Sequence, residues 1–229
     1  MLRLCGMCGR YTVTNPGEAA RELEAAIDPV AMQSEWWKPR FNVAPTQPAP
    51  VVIVKGGARS LELMRWGLMP FWSAKPGAKP PLMINARLES LHAKAVFRDA
   101  LERKRCLVLA DGFYEWANKT PLYIHPRDRR PIAFAGLWAR AKMTTGELYS
   151  FTIITSKPAP LVAPFHDRMP LVLARDAWDA WLDPDTADPK RLLGIPELAG
   201  WQVEQVSTHV NKADHDDPGC IAPISADPR

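Results

Sequence analysis

Twenty-three prolines punctuate these 229 residues, about twice the ordinary usage. Each fixes φ, removes an amide donor and disfavours helix in the residue before it. The chain must therefore be assembled from short elements joined by stiff loops, and long helical bundles are excluded. The length fits one large domain better than two. A composition of 47% hydrophobic and 24% charged residues is that of a soluble globular chain rather than a disordered one. No apolar run approaches the roughly 18 residues of a membrane span. Residues 1–6, with Arg3 among them, lack the apolar stretch of a secretory signal. Four cysteines in no recurring spacing fit a reducing compartment, so a cytoplasmic location is expected. The net charge of +4 permits an anionic partner without requiring one.

Asn15-Pro16-Gly17-Glu18 predicts a helix start, with Asn15 as N-cap and a helix continuing over 19–27. Strands are predicted over 51–54 and 61–65, joined by a turn at Gly56-Gly57, and further strands over 132–138 and 148–155. Residues 73–82, rich in proline, predict an exposed loop, and 88–103 predict a helix. Asp111-Gly112 between strands over 106–110 and 113–116 predicts a two-residue hairpin. A short helix over 175–182 carries Trp178 and Trp181 at helical spacing, which marks them as core. The last fifteen residues predict irregular structure. Strands dominate while helices intrude irregularly, so the expected class is α+β: one domain around a curved sheet.

Cys5-Gly6-Met7-Cys8 satisfies C-x-x-C, but a structural zinc site needs four ligands, and Cys106 and Cys220 stand singly. No metal and no cofactor are therefore expected. Cys8 admits a different reading. If translation starts at Met7 and that Met is removed, Cys8 becomes N-terminal, with thiol and α-amine as neighbours. Both groups are partly available near neutrality. A 1,2-aminothiol condenses with an aldehyde, first to a Schiff base and then to a thiazolidine ring, so its target should be a carbonyl.

Seven segments occur in order: Met7-Cys8-Gly9-Arg10, Phe41-Asn42-Val43-Ala44-Pro45-Thr46, Met64-Arg65-Trp66-Gly67-Leu68, Asn85-Ala86-Arg87-Leu88-Glu89, Arg105-Cys106-Leu107, Asp111-Gly112-Phe113-Tyr114-Glu115-Trp116 and His166-Asp167-Arg168-Met169-Pro170. Together they resemble the SRAP family (SOS-response-associated peptidase domain), proteins that process abasic sites. The resemblance runs from Cys8 to about Pro223. It implies an α+β fold: a single SRAP-like domain with a curved, barrel-like, mainly antiparallel sheet flanked by helices. Residues 1–7 would be a leader, 8–223 the domain and 224–229 a tail. The implied function is a sensor of abasic sites in single-stranded DNA that shields the lesion as a covalent thiazolidine cross-link. AP-lyase and cross-link-reversing activities come with it, in a monomer that has no membrane partner.

The resemblance also carries roles onto residues. Cys8 resembles the cross-linking nucleophile, and Asn85 the residue that positions the Cys amine and the sugar. On residue type alone, Asn85 reads as a helix N-cap. Glu115 resembles the catalytic carboxylate. On a strand it shares a face with Phe113, while Tyr114 and Trp116 point the other way. A carboxyl held against aromatics should have a raised pKa, although a rim glutamate paired with arginine is the plainer reading. His166 resembles the catalytic histidine that assists opening of the deoxyribose, where type alone gives a solvated loop histidine. Thr155 matches a polar position lining the same pocket. Arg10, Arg87 and Arg168 resemble phosphate contacts, with Arg40 and Arg65 as further candidates. Trp66 and Trp72 resemble residues that stack on bases, a role that tolerates any sequence, although tryptophan more often packs a core. Two other functions stay open: an autoproteolytic cysteine peptidase using Cys8 and His166, and a non-covalent single-stranded DNA binding module.

Overall fold

In the computed structural model, residues 8–27, 29–74, 81–144 and 146–224 are described. The strands are β1 (Tyr11–Val13), β2 (Ala26–Ile27), β3 (Arg40–Val43), β4 (Pro48–Lys55), β5 (Ala58–Trp66), β6 (Asn85–Arg87) and β7 (Arg105–Ala110). They continue with β8 (Gly112–Ala117), β9 (Thr120–Pro126), β10 (Ile132–Met143), β11 (Gly146–Ser156), β12 (Met169–Pro170) and β13 (Trp201–Gln205). Strands β4, β7, β10 and β11 pair antiparallel in that order, and β5 closes the ring by pairing antiparallel with β4 and parallel with β11. The result is a five-stranded barrel, with β2, β6 and β12 attached to its rim strands. A second, antiparallel sheet has the order β13-β9-β8-β1-β3. The curved, barrel-like α+β domain implied by the sequence is what forms.

Aromatic side chains weld the two sheets together. Tyr11 of β1 meets Trp66 of β5 at 5.2 Å and Phe134 of β10 at 5.7 Å, and Phe113 of β8 meets Phe134 at 6.2 Å. Edge-to-face pairs of this kind add to the area they bury. The period-2 alternation of β8 separates two cores. Phe113 joins the main one, whereas Tyr114 packs with Tyr123, Val206, Val210 and Cys220 on the other face. No helix among the described residues is long and apolar enough to cross a membrane.

Three local predictions need correction. Helix α1 (Pro16–Glu22) starts as predicted, with Asn15 Oδ1 accepting from Glu18 N at 3.2 Å, but it stops five residues before Ile27. Glu24 takes φ +50°, Ala25 N donates to Ala20 O and Glu24 N to Arg21 O. That is a Schellman stop, after which the chain is free to extend into β2. The helix predicted over 88–103 is split. A 3₁₀ turn (Leu88–Ser90) is separated from helix α2 (Ala95–Arg103) by extended backbone at Lys94.

The third correction bears on the site. Asp111-Gly112 is not a hairpin, because β7 pairs with β4 and β10 while β8 pairs with β1 and β9. The dipeptide carries the chain from the barrel into the second sheet. A Cβ on Gly112 would lie 2.7–2.8 Å from Tyr123, His125 and the Ile124 carbonyl, so glycine is needed for close approach rather than for turn geometry. The helical region over 175–182 is a 3₁₀ turn running into a helix (Trp178–Leu182), and both of its tryptophans are buried as expected. The described part of the C-terminal region, up to residue 224, is more ordered than predicted, with a 3₁₀ turn at Pro218–Ile221 and Cys220 fully buried.

Candidate functional site

The site forms where the second sheet meets the barrel strand β11. Tyr114 N donates to Arg10 O at 3.0 Å, which prolongs the β1–β8 pairing beyond Tyr11 and brings Cys8 beside Glu115. From the barrel side, β6 pairs parallel with β11, setting Asn85 opposite Ile153 and Arg87 opposite Thr155. Asn85 is therefore a strand residue rather than a helix cap. Its Nδ2 donates to the Cys8 carbonyl at 3.1 Å and fixes the backbone that carries the Cys8 thiol.

His166 enters from the loop between β11 and β12. That loop is held by turns closing on the buried Ala159 and Val162, with His166 N donating to Val162 O. His166 Nδ1 lies 2.8 Å from Arg168 O and 3.0 Å from Arg168 N. A carbonyl can only accept, and a protonated Nδ1 cannot also accept from an amide, so the shorter contact sets the tautomer with Nδ1–H donating. Nε2 then faces Glu115 Oε2 at 3.8 Å. Cys8 Sγ, a Glu115 oxygen and a His166 nitrogen lie within 4.8 Å of one another.

Burial controls the electrostatics. It pushes the Glu115 carboxyl up to about 7, against opposing contributions from Cys8 and His166. Glu115 is thus divided between acid and carboxylate near neutrality, the condition a proton-transfer group requires. The Cys8 thiol is raised well above its ordinary value, by burial first and then by the Glu115 charge. It is held as a thiol beside a carboxylate, not as a thiolate. Glu115 Oε1, Asn85 Oδ1 and Arg168 Nε are buried without hydrogen-bond partners among the described residues. Buried polar atoms are normally paired, so three unmet groups around one thiol mark a place for a polar ligand.

The remaining candidates separate into two groups. Thr155 is buried, and its Oγ1 accepts from Arg168 Nη2 at 3.2 Å, which places it at the site edge. Arg87 is exposed beside it. Trp72 is 36% exposed, next to Phe71 at 76%, so these two aromatics form a solvent-facing pair. Trp66, by contrast, is 1% exposed, and its Nε1 donates to Ile84 O at 2.9 Å. It is a core residue with no face for a base, which corrects the stacking role. Arg10 also departs from expectation, because its Nη1 donates to Asn42 Oδ1 and to Val210 O, both at 2.8 Å. It clamps the C-terminal segment onto β1. Arg40 is buried against Asp216 and Gln47, and Arg65 donates to Gly67 O. Cys5 and residues 75–80 lie outside the described residues.

Two residues were missed. Phe71 carried no sequence signal beyond its neighbour Trp72. Glu89 ends the Asn85-Ala86-Arg87-Leu88-Glu89 segment, and its two oxygens accept from Arg168 Nη1 and Nη2 at 2.8 and 3.1 Å. That bidentate pair holds the Glu89 carboxyl below its usual value and occupies the guanidinium fork expected to meet phosphate.

Comparison with known proteins gives a consistent picture. The sequence profile of the SOS response associated peptidase (SRAP) family matches residues 7–213. Abasic site processing protein YoqW of Bacillus subtilis is 38% identical over 94% of this chain and 99% of its own length. Abasic site processing protein HMCES of Xenopus tropicalis is 32% identical over 83% of this chain and 68% of its own. Among solved structures, a Bacteroides thetaiotaomicron protein superposes with TM-score 0.81 at 23% identity, covering 96% of this chain and 98% of that one. A phage-related protein of Bordetella bronchiseptica does so at 0.67 and 29%, covering 87% and 94%.

Proposed function

Because this chain belongs to the SOS response associated peptidase (SRAP) family, we propose that it processes abasic sites in single-stranded DNA by capturing the ring-opened sugar aldehyde on Cys8. The observation that carries this reading is the buried Cys8 thiol between a near-neutral Glu115 and His166, with Asn85 holding its carbonyl. The α-amine of Cys8 attacks the aldehyde, and loss of one water gives an imine. Addition of Sγ to the imine carbon closes the thiazolidine. Glu115 takes the thiol proton and delivers a proton to the departing hydroxyl. As the sugar opens, His166 Nε2 takes the proton of the anomeric hydroxyl and passes it to the ring oxygen. Reversal of the same steps would release the strand.

The chemistry requires a free amine at Cys8, hence removal of everything ahead of it. The family match opens at Met7, in keeping with a functional chain that begins at Cys8. A cysteine-peptidase reading is less well supported. Peptidase thiols are stabilised as thiolates by a neighbouring cation, whereas burial and the Glu115 charge favour the thiol here.

The test is denaturing electrophoresis after incubation with single-stranded oligonucleotides that carry or lack one abasic site. A covalent band is expected with the abasic strand alone. Reversible binding to both strands with no band would favour a simple binding module, and cleavage of a generic protein substrate would favour the peptidase.

DNA affinity should also respond to the Glu89–Arg168 pair. We expect Glu89→Gln to tighten binding of unmodified single strands severalfold at low salt, since a phosphate no longer competes with a carboxylate for the Arg168 fork. Arg87→Ala should weaken binding and reduce the slope of log affinity against log salt by about 0.7. Weaker binding by Glu89→Gln in a salt titration would mean that the pair only positions Arg168.

A further inference from the structure

A second cluster of chemically capable side chains lies far along the chain from the Cys8 site, on the segment that follows β13. We propose that His209, Asp217 and Cys220 form a binding site for a zinc-class divalent transition metal ion, with Nε2, Oδ2 and Sγ as ligands and water in the fourth position. These three donor groups lie within 4.8 Å of one another. A tetrahedral zinc ion would draw such ligands to separations of roughly 3.3–3.7 Å, a small adjustment of side chains alone. A thiolate with an imidazole selects zinc, or cobalt in its place, over magnesium or calcium.

The cluster is built rather than incidental. Asn42 Nδ2 donates to the carbonyls of Val210, Lys212 and His215, and Asp216 Oδ1 accepts from the amides of Phe41 and Asn42. The loop is thereby wrapped around β3 with its backbone fixed. Ser207 Oγ caps the turn that carries His209, accepting from His209 N at 3.2 Å. Asp217 Oδ1 caps the next turn, accepting from Gly219 N at 2.8 Å, which leaves Oδ2 as the single oxygen turned to His209 Nε2 at 2.8 Å. His215 stacks on His209 with centroids 3.9 Å apart and donates from Nδ1 to His209 O, which holds the ligand ring in its plane. Such supporting bonds are what orient metal ligands. Cys220 is fully buried in the small core beneath, its thiol donating to His215 O at 3.4 Å, a bond that the metal would replace.

The exchange balances. The proton that His209 Nε2 shares with Asp217 moves to Nδ1 through solvent, the Cys220 thiol releases one proton to solvent, and no redox partner is needed. Affinity should therefore fall as pH is lowered. The metal would pin the segment that receives Arg10 at Val210, two residues from Cys8 in sequence, and so brace the nucleophile strand.

The test is cobalt titration of the full, reduced chain carrying Cys8→Ser, so that the thiol beside Glu115 and His166 cannot contribute. We expect one equivalent of Co²⁺ to give a thiolate charge-transfer band, lost on adding Zn²⁺ and absent when Cys220→Ser is added. Should Cys220→Ser fail to fold, the exposed-edge variants His209→Gln and Asp217→Asn decide, each expected to weaken cobalt binding at least tenfold with the fold intact. No band in the Cys8→Ser chain, or a band that survives at full strength in these variants, would overturn the proposal. The readout involves no DNA, so its failure is separable from failure of the abasic-site reading.

Discussion

Replacing Cys8 with serine should abolish heat-stable adducts with abasic single-stranded DNA while leaving reversible DNA binding within about twofold. An amine and a hydroxyl can still form an imine, but the oxygen analogue of the thiazolidine reopens readily, so no adduct survives denaturation. Three chains separate the contributions. One starts at Met1, one at Met7, and one at Met7 with Cys8→Ser. Removal of an initiator Met is favoured before a small residue such as Cys8 and disfavoured before Leu2. The second chain should therefore react, the third should not, and the first should react only after trimming. An amide nitrogen cannot form a Schiff base, because its lone pair is delocalised into the carbonyl. A stable adduct on a chain shown by mass spectrometry to retain Met1 would end the thiazolidine mechanism.

The parts of this site that were legible in the sequence are those where residue type and periodicity carry the information. Glu115 on the Phe113 face of a strand is the clearest case. Alternation puts it on the Phe113 face, and the packing of that face between the two sheets decides for the buried carboxyl with a raised pKa over a rim glutamate paired with arginine. Asn15-Pro16-Gly17-Glu18 likewise specifies a helix start locally. What was not legible depends on which strand pairs with which. Asp111-Gly112 has hairpin chemistry, but β7 is taken up by β4 and β10, so the dipeptide becomes a crossover. Arginines in matching motifs could not be sorted by sequence, because their partners are distant. Arg10 is claimed by carbonyls two hundred residues away, and Arg168 by Glu89, seventy-nine residues away. Trp66 shows the same limit, since its ring lies beside Phe151 of the neighbouring barrel strand and is sealed by Tyr11 only when the two sheets meet. The His209–Cys220 cluster went unseen for a related reason. Its ligands converge only because Asn42 and Asp216 fold that loop back onto β3.

Glu115→Gln should separate catalysis from stability in opposite directions. A carboxyl raised from 4.5 to about 7 in the fold binds more protons in the native than in the unfolded state between those values. Stability of the wild-type chain therefore falls as pH rises through that window, and the cost is complete above about pH 7. Glutamine has no charge to bury, so the variant should gain nothing near pH 4.5 and increasingly more toward pH 7. The ceiling is on the order of 3 kcal/mol, from 2.5 pK units at about 1.36 kcal/mol each. In the proposed mechanism the same substitution also removes the group that accepts the Cys8 proton and returns one to the leaving hydroxyl. Adduct formation should slow by about 10²–10⁴-fold, and the inflection near pH 7 in its rate should disappear. His166→Ala should slow the reaction within the same range without the stability gain, since its ring is only partly buried. Denaturant melts at pH 5 and pH 8 beside single-turnover gel rates measure both effects. A Glu115→Gln chain with wild-type rates in both directions would remove Glu115 from the mechanism. One with a pH-independent stability difference would instead show that the carboxyl is not held near neutrality, leaving its proton transfer without the poised acid that the reaction needs.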